Sequence, residues 1–201
     1  YKAGNVLRFL GTSETSTVAI EPQPAPEPLL AFLGAAQLGA TATFDPTADA
    51  RLRLVGVEQE AEYTPPSGAK LAVYGGPPES PTTVNWEQQV WSENPGFPET
   101  PVDSDATVLR ADGEDYSHAD LLAAADEVVD AVGLDGGARL AIRTPLARPA
   151  TVVGLLAALA AEATAVVVGE SEATVDADAA LVTTGARPPE PAVVSAGEVS
   201  L

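Results

Sequence analysis

The sequence contains no cysteine and no methionine, one histidine, two lysines and few aromatic residues. Without cysteine it offers no disulfide framework, no zinc–thiolate site and no thiol nucleophile. Its lone histidine, His118, cannot form a multi-histidine metal site, and a serine–histidine–aspartate triad would have to be built on it. Nothing in the spacing around His118 supplies a nucleophile or an orienting partner, so we predict no catalytic residue and no metal site.

Basic residues are also scarce. The chain has 10 lysines and arginines against 29 aspartates and glutamates, a formal charge of -19. This charge repels polyanions, so we expect neither nucleic acid nor an anionic membrane as a partner. An acidic surface with little lysine is typical of salt-rich cytoplasm, where salt screens the repulsion between carboxylates. We therefore expect a halophilic, acidic, cytoplasmic protein.

The longest apolar stretch, PATVVGLLAALAAEATAVVVG at residues 149–169, is about as long as a membrane-spanning helix. Glu162 interrupts it, and its composition changes from alanine and leucine to β-branched valine at the end. These features predict a buried helix at 151–162 followed by a buried strand at 165–168. The opening residues YKAGNVLRFLG are too short and too polar for a secretory signal. We therefore expect no membrane segment in this sequence.

The second half of the sequence begins with a clear helix signal. Ser117 is a suitable N-cap, and Asp120 follows at the capping-box spacing, with aspartate in the usual place of glutamate. Apolar residues then recur at helical spacing up to Gly133, a residue type that readily ends a helix in the left-handed conformation. Short apolar runs at 140–142 and 180–182 predict buried strands.

Part of this pattern occurs twice. Residues 18–44 and 140–167 each give a short strand, a proline-bearing loop, an uncharged helix and a strand that opens Ala-Thr-Ala. Further strands are predicted at 52–55 and 71–74. Buried strands that alternate with helices indicate an α/β protein with two similar lobes, each with a mostly parallel sheet flanked by helices.

A segment rich in proline and tryptophan separates the two lobes. It contains Trp86, Trp91 and Phe97. The proline density rules out a central strand or a long helix, although a short helix fits within 83–92. Three large aromatic side chains predict packing across the junction of the lobes rather than a bare linker. The expected organisation is a first lobe at 1–84, a strap at 85–102 and a second lobe at 103–201.

Three stretches are candidates for a phosphate-binding loop, which needs successive backbone N–H groups from glycine, serine and threonine. Residues 110–115 (RADGED) carry three carboxylates that would repel a phosphate, and 73–81 (VYGGPPESP) is typical of a proline turn. Residues 181–191 (LVTTGARPPEP) begin like a nucleotide loop after a strand, before the prolines. The candidate nucleotide- or ligand-binding residues are Thr183, Thr184, Gly185 and Arg187.

Residues 100–168 resemble the region around the nucleotide-binding loop of the adenylate-forming (AMP-binding) superfamily, the acyl-CoA synthetases and their relatives. The family's "Ser-His-x-x-Leu" reads Ser117, His118 and Leu121, and its "Pro-Leu-x-His" turn reads PLARP, with Arg148 near the place of the histidine. The earlier segment VAIEPQPAPEPLLAFLGAAQLGATATFDP resembles another part of the same domain. The resemblance implies the fold of the N-terminal domain of acyl-CoA synthetases.

The sequence departs from the family where the chemistry lies. Where the resemblance places the Thr/Ser/Gly-rich ATP-gripping loop, between Leu109 and Ser117, there is only RADGEDY. A second alignment takes residues 112–145 as the segment that precedes this loop, and places the loop near ALVTTGARPPEP. We also identify no counterpart of the "Tyr-Gly-x-Thr-Glu" motif, the ribose-binding aspartate or the small C-terminal domain.

These departures favour a non-catalytic relative that binds a partner protein or a small acyl or adenylyl ligand. The alternative is a ligase that forms acyl-adenylates with parts missing from this sequence or supplied by another chain. If active, it would be an acid–thiol ligase. The resemblance implies ATP or AMP, or CoA, as the cofactor to test, and assigns no role to His118 beyond marking a position.

Overall fold

The computed structural model describes residues 1–96, 100–168 and 174–200. Within it the chain divides into two compact units, Tyr1–Asp115 and Tyr116–Leu201. Each contains one sheet with helices packed on it.

The first unit is built on a seven-stranded sheet in the order β5-β4-β3-β1-β2-β6-β7. The strands that the structure pairs in parallel are β1 to β6, and the edge strand β7 continues into the second unit. A short 3-10 helix, Val57–Glu62, follows β3. The strands are β1 (Thr17–Ile20), β2 (Thr41–Thr43), β3 (Leu52–Gly56), β4 (Lys70–Tyr74), β5 (Val84–Asn85), β6 (Thr107–Ala111) and β7 (Glu114–Ser117), and the helices are α1 (Lys2–Phe9), α2 (Pro26–Gln37) and α3 (Trp86–Ser92).

The core of the first unit lies around β1 and β3. Val18, Ala19 and Ile20 are fully buried, as expected for a central strand with both faces covered. Helix α2 begins with Pro26 in its first turn, where the missing N–H breaks no helical hydrogen bond. The same helix approaches α1 so closely at Gly34 that a Cβ there would lie 2.9 Å from backbone atoms of α1.

The second unit has a four-stranded sheet in the order β11-β10-β8-β9, and every pairing in it is parallel. Its central strand β10 is buried along its whole length. A second short 3-10 helix, Ala196–Glu198, follows the last strand. The helices are α4 (His118–Val132) and α5 (Pro149–Ala160), and the strands are β8 (Arg139–Arg143), β9 (Thr164–Val167), β10 (Ala179–Val182) and β11 (Ala192–Ser195).

Both predicted ends of helix α4 are confirmed. The Ser117 hydroxyl accepts a hydrogen bond from the Asp120 N–H, and the Asp120 carboxylate accepts one from the Ser117 N–H, which is a complete capping box. Gly133 ends the helix with a φ of 60°, a left-handed conformation that costs glycine little.

The predicted α/β fold with two similar, mostly parallel sheets is also confirmed. The repeated pattern forms β1–α2–β2 in the first unit and β8–α5–β9 in the second, and in each case the two strands pair in parallel. The stretch at 149–168 is a helix followed by a strand, while Gly169 lies outside the described residues. Among the described residues no helix is both long enough and apolar enough to cross a membrane.

The structure of the predicted strap, residues 85–102, differs in part from the sequence-based prediction. Its first part is the short strand β5 and helix α3, and Trp86 is buried in the first unit. The packing predicted for Trp91 is wrong, because its side chain is 87% exposed. Phe97 lies outside the described residues. Strand β6, which the sequence assigned to the second lobe, pairs with β2 in the first unit's sheet, because long-range pairing rather than local pattern decides which sheet a strand joins.

Candidate functional site

The sequence-predicted ligand residues lie at the carboxyl edge of the second unit's sheet. Strand β10 ends at Val182, and the turn that carries Thr183 and Thr184 follows directly. In the register of the sheet, Val182 lies beside Arg143 at the end of β8 and Ser195 at the end of β11. Open parallel sheets bind ligands outside the carboxyl ends of their strands, so this edge is the place where the fold favours a site.

The turn itself is short and exposed. The Ala186 N–H donates to the Thr183 carbonyl at 3.1 Å, and Gly185 has a φ of 85°, which a side chain would disfavour at this turn position. The Thr184 hydroxyl lies 3.4 Å from the Ser195 hydroxyl. The structure thus places the four candidate residues on one surface turn; Thr183, Thr184, Gly185 and Arg187 are all exposed. Their role in binding stays a prediction.

A buried ion pair lies at the same edge of the sheet, and sequence patterns did not indicate it. Arg143 Nη2 is 2.6 Å from Glu190 Oε1, and Arg143 Nε is 3.1 and 3.2 Å from the two carboxylate oxygens. The side chains are 15% and 1% exposed. The only sequence signal for Arg143 was its position directly after the buried apolar run at 140–142, where a charged residue needs a partner. Glu190 neutralises the guanidinium.

The loop between β8 and α5 is also closed by its own side chains. The Thr151 hydroxyl is fully buried and lies 2.7 Å from both the Thr144 hydroxyl and the Pro145 carbonyl oxygen. These bonds tie the first turn of α5 to the end of β8. Together with the Arg143–Glu190 pair, they satisfy the buried polar groups of this edge internally.

Residues 110–115 form a hairpin rather than a ligand loop. Asp112 and Gly113 have φ values of 55° and 87°, typical of a two-residue turn between β6 and β7. Arg110 Nε lies 2.6 Å from Asp115 Oδ1, and this hydrogen bond holds the pKa of Asp115 below its usual value. In the first alignment frame, therefore, the place of the ATP-gripping loop is occupied by a tight turn.

The backbone N–H groups of residues 73–81 donate to carboxylates. The Gly75 N–H donates to Glu87 Oε1 at 2.5 Å. The Glu79 and Ser80 N–H groups donate to the two oxygens of Glu60 at 2.7 and 3.0 Å. The Glu79 bond is the main cause that lowers the pKa of Glu60. A stretch whose amides already bind glutamates is poorly suited to grip a phosphate.

The structure shows the surroundings of His118, Asp176 and Asp178. His118 is the first residue of α4 and is half-buried, and burial lowers its pKa. The side chain of Asp176 is fully exposed, and Asp178 accepts from the Arg139 N–H at the opposite, amino-terminal edge of the sheet. No group of three or more histidine and carboxylate side chains in the described part of the chain could hold a metal ion.

Two cavities lie in the first unit. One, of about 400 Å³, opens at the amino ends of β1 and β3 and is lined by Thr15, Ser16, Arg51 and Gly68 among others. The second, of about 300 Å³, lies between Tyr63, Leu71 and Glu79. Sequence patterns did not indicate either cavity, because each depends on how loops from separate strands meet.

The fold is similar to that of solved acyl-CoA ligases. The anthranilate CoA ligase AuaEII in complex with anthranoyl-AMP matches 90% of this chain with a TM-score of 0.76 at 16% identity, and the match covers 42% of that protein. Apo MatB from Rhodopseudomonas palustris matches 90% with a TM-score of 0.71 at 14% identity, covering 41% of MatB. No protein-family profile and no curated protein matches the sequence.

The N-terminal domain of FACL13 from Mycobacterium tuberculosis is similar in the same way. It matches 90% of this chain with a TM-score of 0.72 at 16% identity, and the match covers 53% of that domain. The resemblance to the N-terminal domain of adenylate-forming acyl-CoA ligases is therefore confirmed in the fold. The chain spans about two fifths of the full-length ligases, so their activity does not follow from the likeness.

Proposed function

We propose that this chain is a non-catalytic relative of the acyl-CoA ligases, which binds a small acyl or adenylyl ligand, or a partner protein, at the carboxyl edge of its second sheet. The ligase-like fold supports the location, because this is the edge at which such sheets bind ligands. The hydroxyls of Thr183, Thr184 and Ser195 are the groups that would contact the ligand.

The Arg143–Glu190 pair is the observation that carries the proposal. Adenylyl transfer needs hydrogen-bond donors and cations positioned to contact phosphate oxygens. Here the arginine at the strand end already binds a carboxylate that is 1% exposed, so its charge is neutralised. The hairpin turn at Asp112 and Gly113 further supports the proposal, because it occupies the other place to which the resemblance assigned the ATP-gripping loop.

Two measurements in molar KCl test this function. Calorimetric titration with AMP, Mg-ATP and a non-hydrolysable acyl-adenylate analogue measures binding, and acyl-dependent pyrophosphate exchange measures catalysis. We expect micromolar binding of the analogue, weakened by Thr184→Val, and no exchange. Robust exchange would refute the non-catalytic assignment. If none of the three ligands binds, the small-ligand form of the proposal fails, and pull-down of partner proteins tests the other form.

The second candidate function is acyl-adenylate formation by an assembly that includes this chain. The favouring observation is that the matched ligases are more than twice as long as the matched region, so further parts would have to come from elsewhere. A longer gene product, or a second chain that restores pyrophosphate exchange when mixed with this one, would support it. In that case we expect Glu190→Gln to raise the affinity for ATP, because it frees the Arg143 charge.

A further inference from the structure

The carboxyl edge of the first unit's sheet gathers four glutamates around one buried phenol. Glu21 follows β1, and its carboxylate accepts from the Gly56 N–H at the end of β3 at 2.6 Å. Gly56 lies beside Tyr74 in the β3–β4 register, and the next amide, that of Gly75, donates to Glu87. Glu21, Glu27, Glu58 and Glu87 all act electrostatically on the Tyr74 phenol.

Two atoms in this place are buried and lack hydrogen-bond partners among the described residues. Tyr74 is 7% exposed, and its hydroxyl has no partner. Glu87 Oε2 is likewise buried and unpartnered, while its other oxygen holds the Gly75 amide. Buried polar atoms are nearly always paired, so two such atoms within one carboxylate cluster indicate a group that binds to both.

The third member of the cluster is Glu58. Glu58 is exposed, and its carboxylate folds back over Gly56, with Oε1 2.3 Å from where a Cβ on that glycine would lie. Any side chain at position 56 would displace it. Glu58 therefore covers the strand end beside Tyr74 without being packed in the core.

The charge of the cluster defines the chemistry of the ligand. None of the ion pairs between described side chains involves these four glutamates. The described part also contains no set of three carboxylates close enough together to hold a metal ion. A primary ammonium group has three N–H donors that spread toward three separate acceptors, and Glu58, Tyr74 and Glu87 each offer one.

We propose that the carboxyl edge of the first sheet binds the ammonium group of a small primary amine between the Glu58 carboxylate, the Tyr74 hydroxyl oxygen and Glu87 Oε2. Burial is the main cause that raises the pKa of Tyr74, followed by the glutamates, so the phenol stays protonated and accepts through its lone pair. The site is independent of the candidate turn in the second unit.

Calorimetric titration of the full chain with n-butylammonium chloride, in phosphate buffer with KCl, tests the site. Glu87→Gln keeps the acceptor for Gly75 but replaces Oε2 with an N–H₂ donor. We expect it to weaken binding about ten- to a hundredfold, because a hydrogen bond to a charged group is lost. Tyr74→Phe removes a hydroxyl that has no partner, so it should fold normally and weaken binding several-fold. The matched control is Glu14→Gln, which removes one exposed charge from the same unit and should change nothing.

Each outcome decides the proposal. Binding that follows this order of variants, with a shift of the Gly75 amide signal in the ¹H–¹⁵N spectrum, supports it. Equal weakening by Glu87→Gln and Glu14→Gln would show general attraction to an acidic surface and overturn it. Absence of heat up to millimolar n-butylammonium would also overturn it. Binding of CaCl₂ or MgCl₂ at Gly75 without binding of the amine would replace it with a metal site.

Discussion

Arg143 and Glu190 lie 47 positions apart in sequence and form an ion pair of 2.6 Å inside the second unit. The contact joins the end of β8 to the proline-flanked loop that precedes β11. A charge this deeply buried is stable only while its partner remains. The pair therefore controls both the stability of this edge and the charge that a ligand would meet there.

Arg143→Met should destabilise the protein by about 3–5 kcal/mol, because it leaves the Glu190 carboxylate buried without a partner. The double variant Arg143→Met/Glu190→Gln should recover a large part of this loss, because it removes the stranded charge as well. Denaturant unfolding measures both. Arg110→Met is the matched control: it breaks an exposed pair with Asp115 and should cost at most about 1 kcal/mol. Equal stabilities of the single and double variants would contradict a buried, coupled pair.

Ser117→Ala should lower the free energy of unfolding by about 1 kcal/mol, because the Asp120 N–H loses its side-chain acceptor at the start of α4. Ser67→Ala removes a hydroxyl from an exposed loop and serves as the control. Urea unfolding followed by far-ultraviolet circular dichroism measures the difference. An effect of the same size in both variants would mean that the cap contributes nothing specific.

Gly34→Ala should destabilise the first unit by about 1–2 kcal/mol, although alanine favours helices, because the new methyl group would meet backbone atoms of α1. These atoms, of Ala3 and Gly4, lie 2.9 Å from the position of the Cβ. Gly154→Ala in α5 makes the informative comparison. Its Cβ would lie 3.0 Å from side-chain atoms of Ile142 and Leu181, which can shift by a few tenths of an ångström more easily than backbone atoms. We expect a smaller effect there in thermal unfolding, and the reverse order would refute the close contact between α1 and α2.

The stability of the protein should rise with pH through the titration of His118. Burial lowers its pKa in the folded state below the ordinary value of 6.5, so the unfolded chain binds the proton more tightly. Protonation therefore favours unfolding, and the stabilisation returns between the lowered folded-state pKa and 6.5. His118→Gln should flatten this part of the profile of unfolding free energy against pH. An unchanged slope in the variant would show that another group is responsible.

The local pattern predicted much of the architecture. The strands at 52–55 and 71–74, the capping box at Ser117 and the end of α4 at Gly133 all appear where expected. Each depends on residues close in sequence, whose spacing reports burial or backbone conformation directly. The two α/β repeats likewise followed from short-range order, because a strand, a helix and a parallel strand can connect in few ways.

Local sequence pattern did not predict the short peripheral elements or the exposure of individual side chains. Helix α1 and strand β11 were not predicted, since each is short and acquires its burial from neighbours distant in sequence. The exposure of Trp91 reversed the expectation drawn from its residue type.

What the amino-acid sequence determined by itself was the α/β class, the repeated strand–helix–strand order, the acidic charge and the lack of thiol chemistry. What only the tertiary structure decided was which side chains meet. Arg143 pairs with Glu190 at the carboxyl edge of the second sheet, and Tyr74 lies among four glutamates at the carboxyl edge of the first sheet. The physical reason is the same in both places. Parallel strands bring their carboxyl ends to one edge, so the electrostatics of that edge depend on residues separated by tens of positions along the chain.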